Sequence, residues 1–484
     1  MSALKKFLKD TVIYGIAAVL PRVINFLLVR VHTDALAAES YAVNSDFYIW
    51  TALFAVALSF GMETAFFRFY NTEKNKDAIV STSFVTSIVT VVLFVVIIAL
   101  FFDFFEQFFD FQNNPLRLKL FVGILALDTI SMIPFAYLRV ANRPVKYAAI
   151  KLLNVGIIVL INLLCLKFIP NFLDEGINLP TFITSNYNQI DKVNYIFIAN
   201  IVGSAISFAL VLPFILKFKF KYDFALLKRI LIYSWPIMVA GLAYVINENL
   251  DKFLIKRMIG DAEMGIYSAC YKLAIFMNLY ILAFRLGAEP FFFNNASKKN
   301  AKETYAKIMN YFVIIGALFL IGIVAYIDIL KYFINPNYWG ALSIVPIILL
   351  ANLFLGIYYN LGIWYKLTDK TIYGMYFSIV GALITIGLNI WLIPTIGIMA
   401  SAYATLIAYG SMAIISYLIG KKYYTVPYNL NKITVYLLAS IAICILSFVY
   451  FRGNFWISTL LILAFAAIIY YNEKDELIAI VKKK

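Results

Sequence analysis

About fourteen apolar stretches, each near the roughly 20 residues that a helix needs to cross a bilayer, follow one another with hardly any water-soluble sequence between them. This is a chain solvated by lipid. Hydrophobic residues make up 63% of it and charged residues only 14%, too little polar surface for a soluble domain of this length. Backbone amides in hydrocarbon must be paired, so the stretches are helices or strands of a closed barrel. Barrel strands alternate in polarity over about ten residues, whereas these runs stay apolar for about twice that. The fold class expected is therefore all-α, a polytopic membrane protein of about fourteen transmembrane helices.

The expected spans are 11–31, 41–66, 78–102, 117–138, 145–168, 193–216, 230–248, 263–285, 306–327, 341–365, 371–393, 396–419, 432–451 and 455–471. With both termini on the cytoplasmic side, the inner loops carry roughly 28 Lys and Arg and the outer loops roughly 10, a strong positive-inside bias. Moving the frame by one span inverts the bias, so an even number of spans is favoured. The net charge of +15 is explained by this topology; no soluble face exists to bind nucleic acid. The basic start, Met1 to Lys9, runs straight into the first span without a small-residue cleavage site, so no removable signal peptide is expected. Cys165, Cys270 and Cys444 all lie in apolar runs, which suggests neither a disulfide framework nor a metal site.

The densest basic segment, Lys217-Phe-Lys-Phe-Lys221 through Lys228-Arg229, divides two similar halves. Span one begins Val12-Ile-Tyr-Gly15 and contains Pro21; span seven begins Leu231-Ile-Tyr-Ser234 and contains Pro236. Transporters are often built from such repeats. The organisation expected is an N-terminal lobe (1–216), a basic cytoplasmic linker (217–229), a C-terminal lobe (230–419), and two further spans with a basic tail (420–484). The longest outer connection, about 169–192, reads as an irregular loop rather than a catalytic domain.

From Tyr233-Ser-Trp-Pro236 through Asn249-Leu-Asp-Lys-Phe253 to Gly265-Ile-Tyr-Ser-Ala-Cys-Tyr-Lys-Leu273, the chain resembles the polysaccharide-transporter branch of the multidrug/oligosaccharidyl-lipid/polysaccharide (MOP) superfamily. Phe60-Gly-Met-Glu-Thr-Ala-Phe-Phe-Arg-Phe69 is similar to that family's second helix. This resemblance to O-antigen and capsule flippases implies two six-helix lobes rocking about a partly cationic cavity. It implies a cargo of undecaprenyl-pyrophosphate-type lipid-linked oligosaccharide, moved across the inner membrane by alternating access. It also implies that spans thirteen and fourteen form a groove for the lipid tail. Glycan polymerases and glycosyltransferases are the partners expected.

Such a cargo carries an anionic pyrophosphate, whose desolvation in hydrocarbon costs several kcal/mol or more. Charges inside the membrane are therefore functional candidates. Arg22, Asn25 and Arg30 fall on an arc of about 140° of span one, and arginine's planar fork suits phosphate. With Lys272, mid-way along span eight, they form the substrate-binding set expected. The competing readings are that Arg30 snorkels to the outer interface, that Arg22 pairs with a carboxylate, and that Lys272 makes a structural ion pair. Lys151 reads as a snorkelling anchor. Asp128 and Glu63 are the candidates for coupling to a H+ or Na+ gradient or to membrane potential, although Glu63 is equally suited to neutralise Arg22 or Arg68. Glu248 and Lys252, four apart, read as a helix-end pair, with Asp251 a further buried carboxylate. Buried amides, Asn154, Asn162, Asn200, Asn352, Asn360 and Asn389 among them, suit sugar hydroxyls or helix contacts equally. Pro21 and Pro236 are the hinges expected to bend or straighten during transport. Tyr267, Tyr271, Tyr358 and Tyr359 are suited to stack on sugar rings. No cofactor and no metal are expected.

Two other transport readings remain, a peptidoglycan lipid-precursor flippase and a cation-coupled multidrug exporter. The latter needs carboxylates to attract its cargo, whereas the mid-span charges here lean basic. A membrane enzyme is disfavoured: the chain has one histidine, His32, no phosphate-binding glycine loop and no catalytic constellation.

Overall fold

A computed structural model describes residues 20–482 apart from Arg22, Gln112, Asn113, Asn142, Asn178, Asn188, Ser297 and Asp369. Within it, α1 covers residues 20, 21 and 23–35. Thirteen further helices are long and apolar enough to cross a membrane: α2 (Ala38–Thr72), α3 (Lys76–Leu100), α4 (Pro115–Val140), α5 (Pro144–Asp174), α6 (Lys192–Ile215), α7 (Phe224–Met258), α8 (Asp261–Arg285), α9 (Ala301–Ala325), α10 (Ile344–Leu367), α11 (Ile372–Ile396), α12 (Met399–Tyr423), α13 (Leu430–Tyr450) and α14 (Phe455–Lys474). Among the described residues there is no strand. Spans two to fourteen of the sequence reading each fall on one of these helices. Residues 11–19 and 22 of span one lie outside the described residues, and the rest of it falls on α1.

Local chemistry sets the helix ends. Asn75, Asp191, Asp223 and Asn429 each accept a hydrogen bond from a backbone N–H in the following first turn, at 3.0–3.2 Å, which satisfies donors the helix cannot. Pro115 and Pro144 open α4 and α5, where a missing N–H costs nothing.

By contacts the chain divides into two compact units, Met1–Asn249 and Leu250–Lys484. The division falls inside α7, which runs unbroken from Phe224 to Met258 through Pro236. The basic segment is therefore short of regular structure only up to Asp223, and Lys228 and Arg229 already belong to α7.

In the N-terminal unit α6 packs against α4 and α5, while α3 packs against α4. One core cluster gathers Phe66, Phe69, Ile79, Phe84, Ile133, Ile215 and Ile230 from α2, α3, α4, α6 and α7. A second, aromatic cluster centres on Phe47, stacked on Phe197 at 3.7 Å, with Phe111 and Phe121 beside it. In the C-terminal unit α10 packs on α12, α12 on α11, and α9 on α10 and α13. Gly356 of α10 faces the Phe312 ring of α9 so closely that a Cβ would overlap it, a small-residue contact of the kind that lets membrane helices approach.

Ion pairs fix relative sidedness within each unit. Arg117 meets Asp191 at 2.5 Å, tying the starts of α4 and α6, and Arg229 meets Glu73 at 2.6 Å, tying the start of α7 to the α2–α3 loop. Lys432 and Glu473 join the start of α13 to the end of α14 at 2.9 Å. Each joins segments that the alternating topology puts on one side.

Asp328, in the α9–α10 connection, accepts from Lys331 at 2.6 Å and from Arg452, in the α13–α14 turn, at 3.3 and 3.4 Å. Burial pushes its carboxyl up, but the hydrogen bonds and charges of Lys331 and Arg452 outweigh that and hold it below the usual carboxylate range. A carboxyl with a depressed folded value stabilises above its unfolded value, and that contribution fades as pH falls through the folded one. Asp328→Asn is thus expected to cost on the order of 1 kcal/mol at neutral pH. The difference in thermal midpoint from the parent should shrink as pH drops below about 4. A difference that persists unchanged in acid would show that charge is not what the substitution removes.

Candidate functional site

Among the described residues, polar groups lie within the spans of both units. In the N-terminal unit the geometry begins with a break in α2. Phe60 and Gly61 both take left-handed conformations, with φ of 50° and 66°, so the apolar run Ala38–Ser59 stops and a new helix starts at Met62. Gly61 is required twice over, because a Cβ there would also sit 2.7 Å from the Ser234 carbonyl oxygen of α7. The break places Glu63 in the first turn of the new helix, where the helix dipole favours a carboxylate.

Glu63 accepts from Arg139 of α4 at 2.9 Å, and the Arg139 guanidinium lies 4.7 Å over Phe67. Its partner is therefore a residue just past the expected end of span four. Arg68 instead lies 4.3 Å over the Tyr233 ring. Lys151 of α5 stands 4.1 Å over the Phe135 ring. Asp128 accepts from the Ser204 hydroxyl of α6 at 2.7 Å. Glu63 and Arg139 balance one another across α2 and α4. Protonation or cation binding at Glu63 would upset that balance.

The amides here mostly tie helices together. Asn154 donates to Ser207 at 3.0 Å, Asn200 to Tyr48 at 2.6 Å, and Asn162 meets His32 at 2.8 Å. Of the expected substrate set, Arg22 lies outside the described residues, Asn25 is exposed, and Arg30 pairs with Asp34 at 2.7 Å. Pro21 lies in helical backbone at the start of the described part of α1, and Pro236 in the unbroken α7. Glu63 is paired with Arg139 and Asp128 with Ser204, through separate contacts.

In the C-terminal unit, Asp251 is only 3% exposed and Lys252 8%. Asp251 Oδ2 accepts from the Tyr267 hydroxyl at 2.7 Å, and Oδ1 lies 3.3 Å from Lys252 Nζ. That ammonium stands 4.0 Å over the Tyr271 ring. Lys256 is 3.8 Å from Asp261. Tyr267 and Tyr271 are therefore committed to this buried network, one as a donor and one as a cation platform.

The helix carrying them changes character at once: Lys272–Ala274 form a 3-10 turn inside α8, a local tightening of the sort found at hinges. Lys272 is exposed at that turn. Three turns further on, Arg285 lies 4.2 Å over the Tyr359 ring of α10. The sequence reading missed Arg285 because its expected span stopped there; the helix in fact continues to Asn295. The signal available was the largely apolar run Leu286-Gly-Ala-Glu-Pro-Phe-Phe-Phe293 that follows it.

An apolar groove of about 380 Å³ also belongs to this unit, lined by Leu320, Pro346, Leu350, Tyr403, Ile441 and Phe448 among others. Its walls come from α9, α10, α12 and α13, and the π-helical turn Leu446–Tyr450 shapes one rim.

Fold and polar groups together define a multi-pass, all-helical membrane protein of the transporter type. Among solved structures the chain is similar to the lipid II flippase MurJ in its inward closed conformation, with 15% identity over 95% of this chain and 99% of that one, TM-score 0.72. It is also similar to the inward-facing and outward-facing conformations of a multidrug resistance MATE family transporter of the MOP superfamily. The inward-facing one has 13% identity over 86% of this chain and 95% of that one, TM-score 0.62. The outward-facing one has 12% identity over 89% and 96%, TM-score 0.62. No curated protein matches the chain in sequence. Residues 7–296 match the family described as polysaccharide biosynthesis protein, and the chain belongs to that family.

Proposed function

We propose that this protein is a flippase that moves a lipid-pyrophosphate-linked oligosaccharide, an O-antigen, capsule or exopolysaccharide unit, across the inner membrane by alternating access. The observation that carries the proposal is a polysaccharide-biosynthesis family match on a chain whose fold is similar to that of a solved lipid II flippase. The physics of the cargo agrees. A pyrophosphate leaving water needs cations, which Lys272 and Arg285 supply in the C-terminal unit, with Arg22 and Arg30 of the first span as further contacts. A polyisoprenyl tail needs an apolar path, and the α9–α10–α12–α13 groove has the lining for a segment of one. Asp128 and Glu63 are the residues whose charge would register a coupling proton or sodium ion, with Pro21 and Pro236 as the hinges. Both termini lie in the cytoplasm in this reading. Polymerases and glycosyltransferases that build the glycan are the functional partners.

The cellular test is depletion of the protein in its own host, with lipid-linked oligosaccharide extracted and assayed for accessibility to an enzyme added outside the inner membrane. Depletion is expected to raise the pool of the glycolipid while leaving it inaccessible. An unchanged accessible fraction, or accumulation of lipid II instead, would move the assignment to another cargo.

A further inference from the structure

Three cations of the N-terminal unit converge on one aromatic ring. The Phe214 ring lies 5.6 Å from the Arg143 guanidinium, 5.2 Å from Lys146 Nζ and 5.6 Å from Lys217 Nζ. Arg143 precedes α5, Lys146 is in its first turn, and Lys217 follows the end of α6. Two helix ends thus aim like charges at the same place. Among the described residues none of the three makes an ion pair.

Two acids of the loops expected on the same side have partners of their own. Asp223 caps α7 through Leu226 N at 3.0 Å, and Glu73 holds Arg229. The first turn of α5 has no side-chain cap, so its unbonded amides and positive dipole end add to the field. Cations at a helix N-terminus are opposed by that dipole, which makes an outside anion the group that would settle all of them.

The position of Lys217 is fixed rather than free. The Ser81 hydroxyl donates to the Lys219 carbonyl at 3.0 Å, the Asp223 amide donates to Thr82 at 3.0 Å, and Phe218 packs on Tyr137 at 4.9 Å. Phe218 packs, half-buried, against the core cluster, and Lys217 stays exposed. The neighbours on the surface are apolar: Val145 is 62% and Leu216 58% exposed, as side chains facing acyl chains are. A cationic focus at the ends of two spans, flanked by lipid-facing residues, has the depth and the chemistry of a lipid phosphate.

We infer that Arg143, Lys146 and Lys217, gathered around Phe214, form a binding site for the phosphate of an anionic membrane lipid, on the face expected to meet the cytoplasmic leaflet. The site is separate from the proposed transport path and does not rest on it. Its occupant is a bulk lipid such as phosphatidylglycerol, which would pin the α5 and α6 ends together.

Native mass spectrometry on the detergent-purified full chain, titrated with phosphatidylglycerol or phosphatidylcholine, tests this. The parent should retain phosphatidylglycerol in preference to phosphatidylcholine and show a higher thermal midpoint with it. The R143A/K146A/K217A variant should bind it at least about tenfold more weakly. The control K228A/K298A/K299A removes the same number of charges from the same predicted side and should bind as the parent does. F214L, which keeps every charge, supplies a milder variant should the triple one misfold, and is expected to lose part of the preference. Equal losses in the triple variant and the control would overturn the site in favour of diffuse surface charge. So would a parent that does not prefer the anionic lipid, or one that inorganic phosphate stabilises as well as the lipid does.

Discussion

Replacing Asp251 by Ala is expected to destabilise the C-terminal unit by about 3 kcal/mol or more, the usual consequence of removing one member of a buried ion pair. Asp251 is almost wholly buried and serves both the Lys252 ammonium and the Tyr267 hydroxyl. Its loss removes an anion from beside a buried cation and an acceptor from a buried hydroxyl. Asp251→Asn keeps one acceptor and should fall between parent and Ala. Tyr267→Phe, which deletes only the donor, should cost about 1 kcal/mol. Thermal unfolding in detergent, followed by intrinsic fluorescence, orders the three. An Ala variant that unfolds with the parent would show that the pair has no net structural weight.

The second large effect is at Gly61. Gly61→Ala must hold an L-residue at φ +66°, which costs about 1–2 kcal/mol. It must also displace a helix backbone, since the new Cβ lies 2.7 Å from Ser234 O and 3.0 Å from Ile237 Cβ. About 3 kcal/mol in total is expected. Gly176 offers the control: φ is +72° there, but nothing lies within 4 Å of an added Cβ. Gly176→Ala should therefore show the backbone cost alone. If the two variants unfold alike, the close approach of α2 to α7 is not what Gly61 serves. Because the break at Gly61 sets the position of Glu63, the variant should also weaken the pairing with Arg139.

The span pattern was legible because the bilayer enforces it. Twenty apolar residues leave no alternative to a helix, and α3, α6 and α13 begin and end within a few residues of the expected bounds. What lay beyond reach was whatever depends on contacts distant in sequence. The break at Phe60–Gly61 is hidden inside one apolar run, and a lone glycine there reads as a packing residue until Ser234 is seen beside it. Arg139 fell one residue past its expected span, so its pairing with Glu63, 76 positions away, had no local signature. Helical spacing favoured Glu248 with Lys252, yet the long lysine side chain also folds back to its neighbour Asp251, a contact that spacing rules discount. Lys217 was visible in the densest basic segment, but Arg143 and Lys146 belong to another connection, and only the fold brings the two helix ends to one ring.

Purified protein reconstituted into liposomes with a lipid-pyrophosphate oligosaccharide, labelled on the sugar with a fluorophore, allows movement between leaflets to be timed by a quencher that cannot cross the membrane. Protein-dependent exposure of the inner-leaflet label is expected, slowed by Lys272→Ala and by Arg285→Ala, with no matching movement of a cationic dye. Label that stays in its leaflet at the rate seen in empty liposomes, while the dye is carried across, would contradict the assignment.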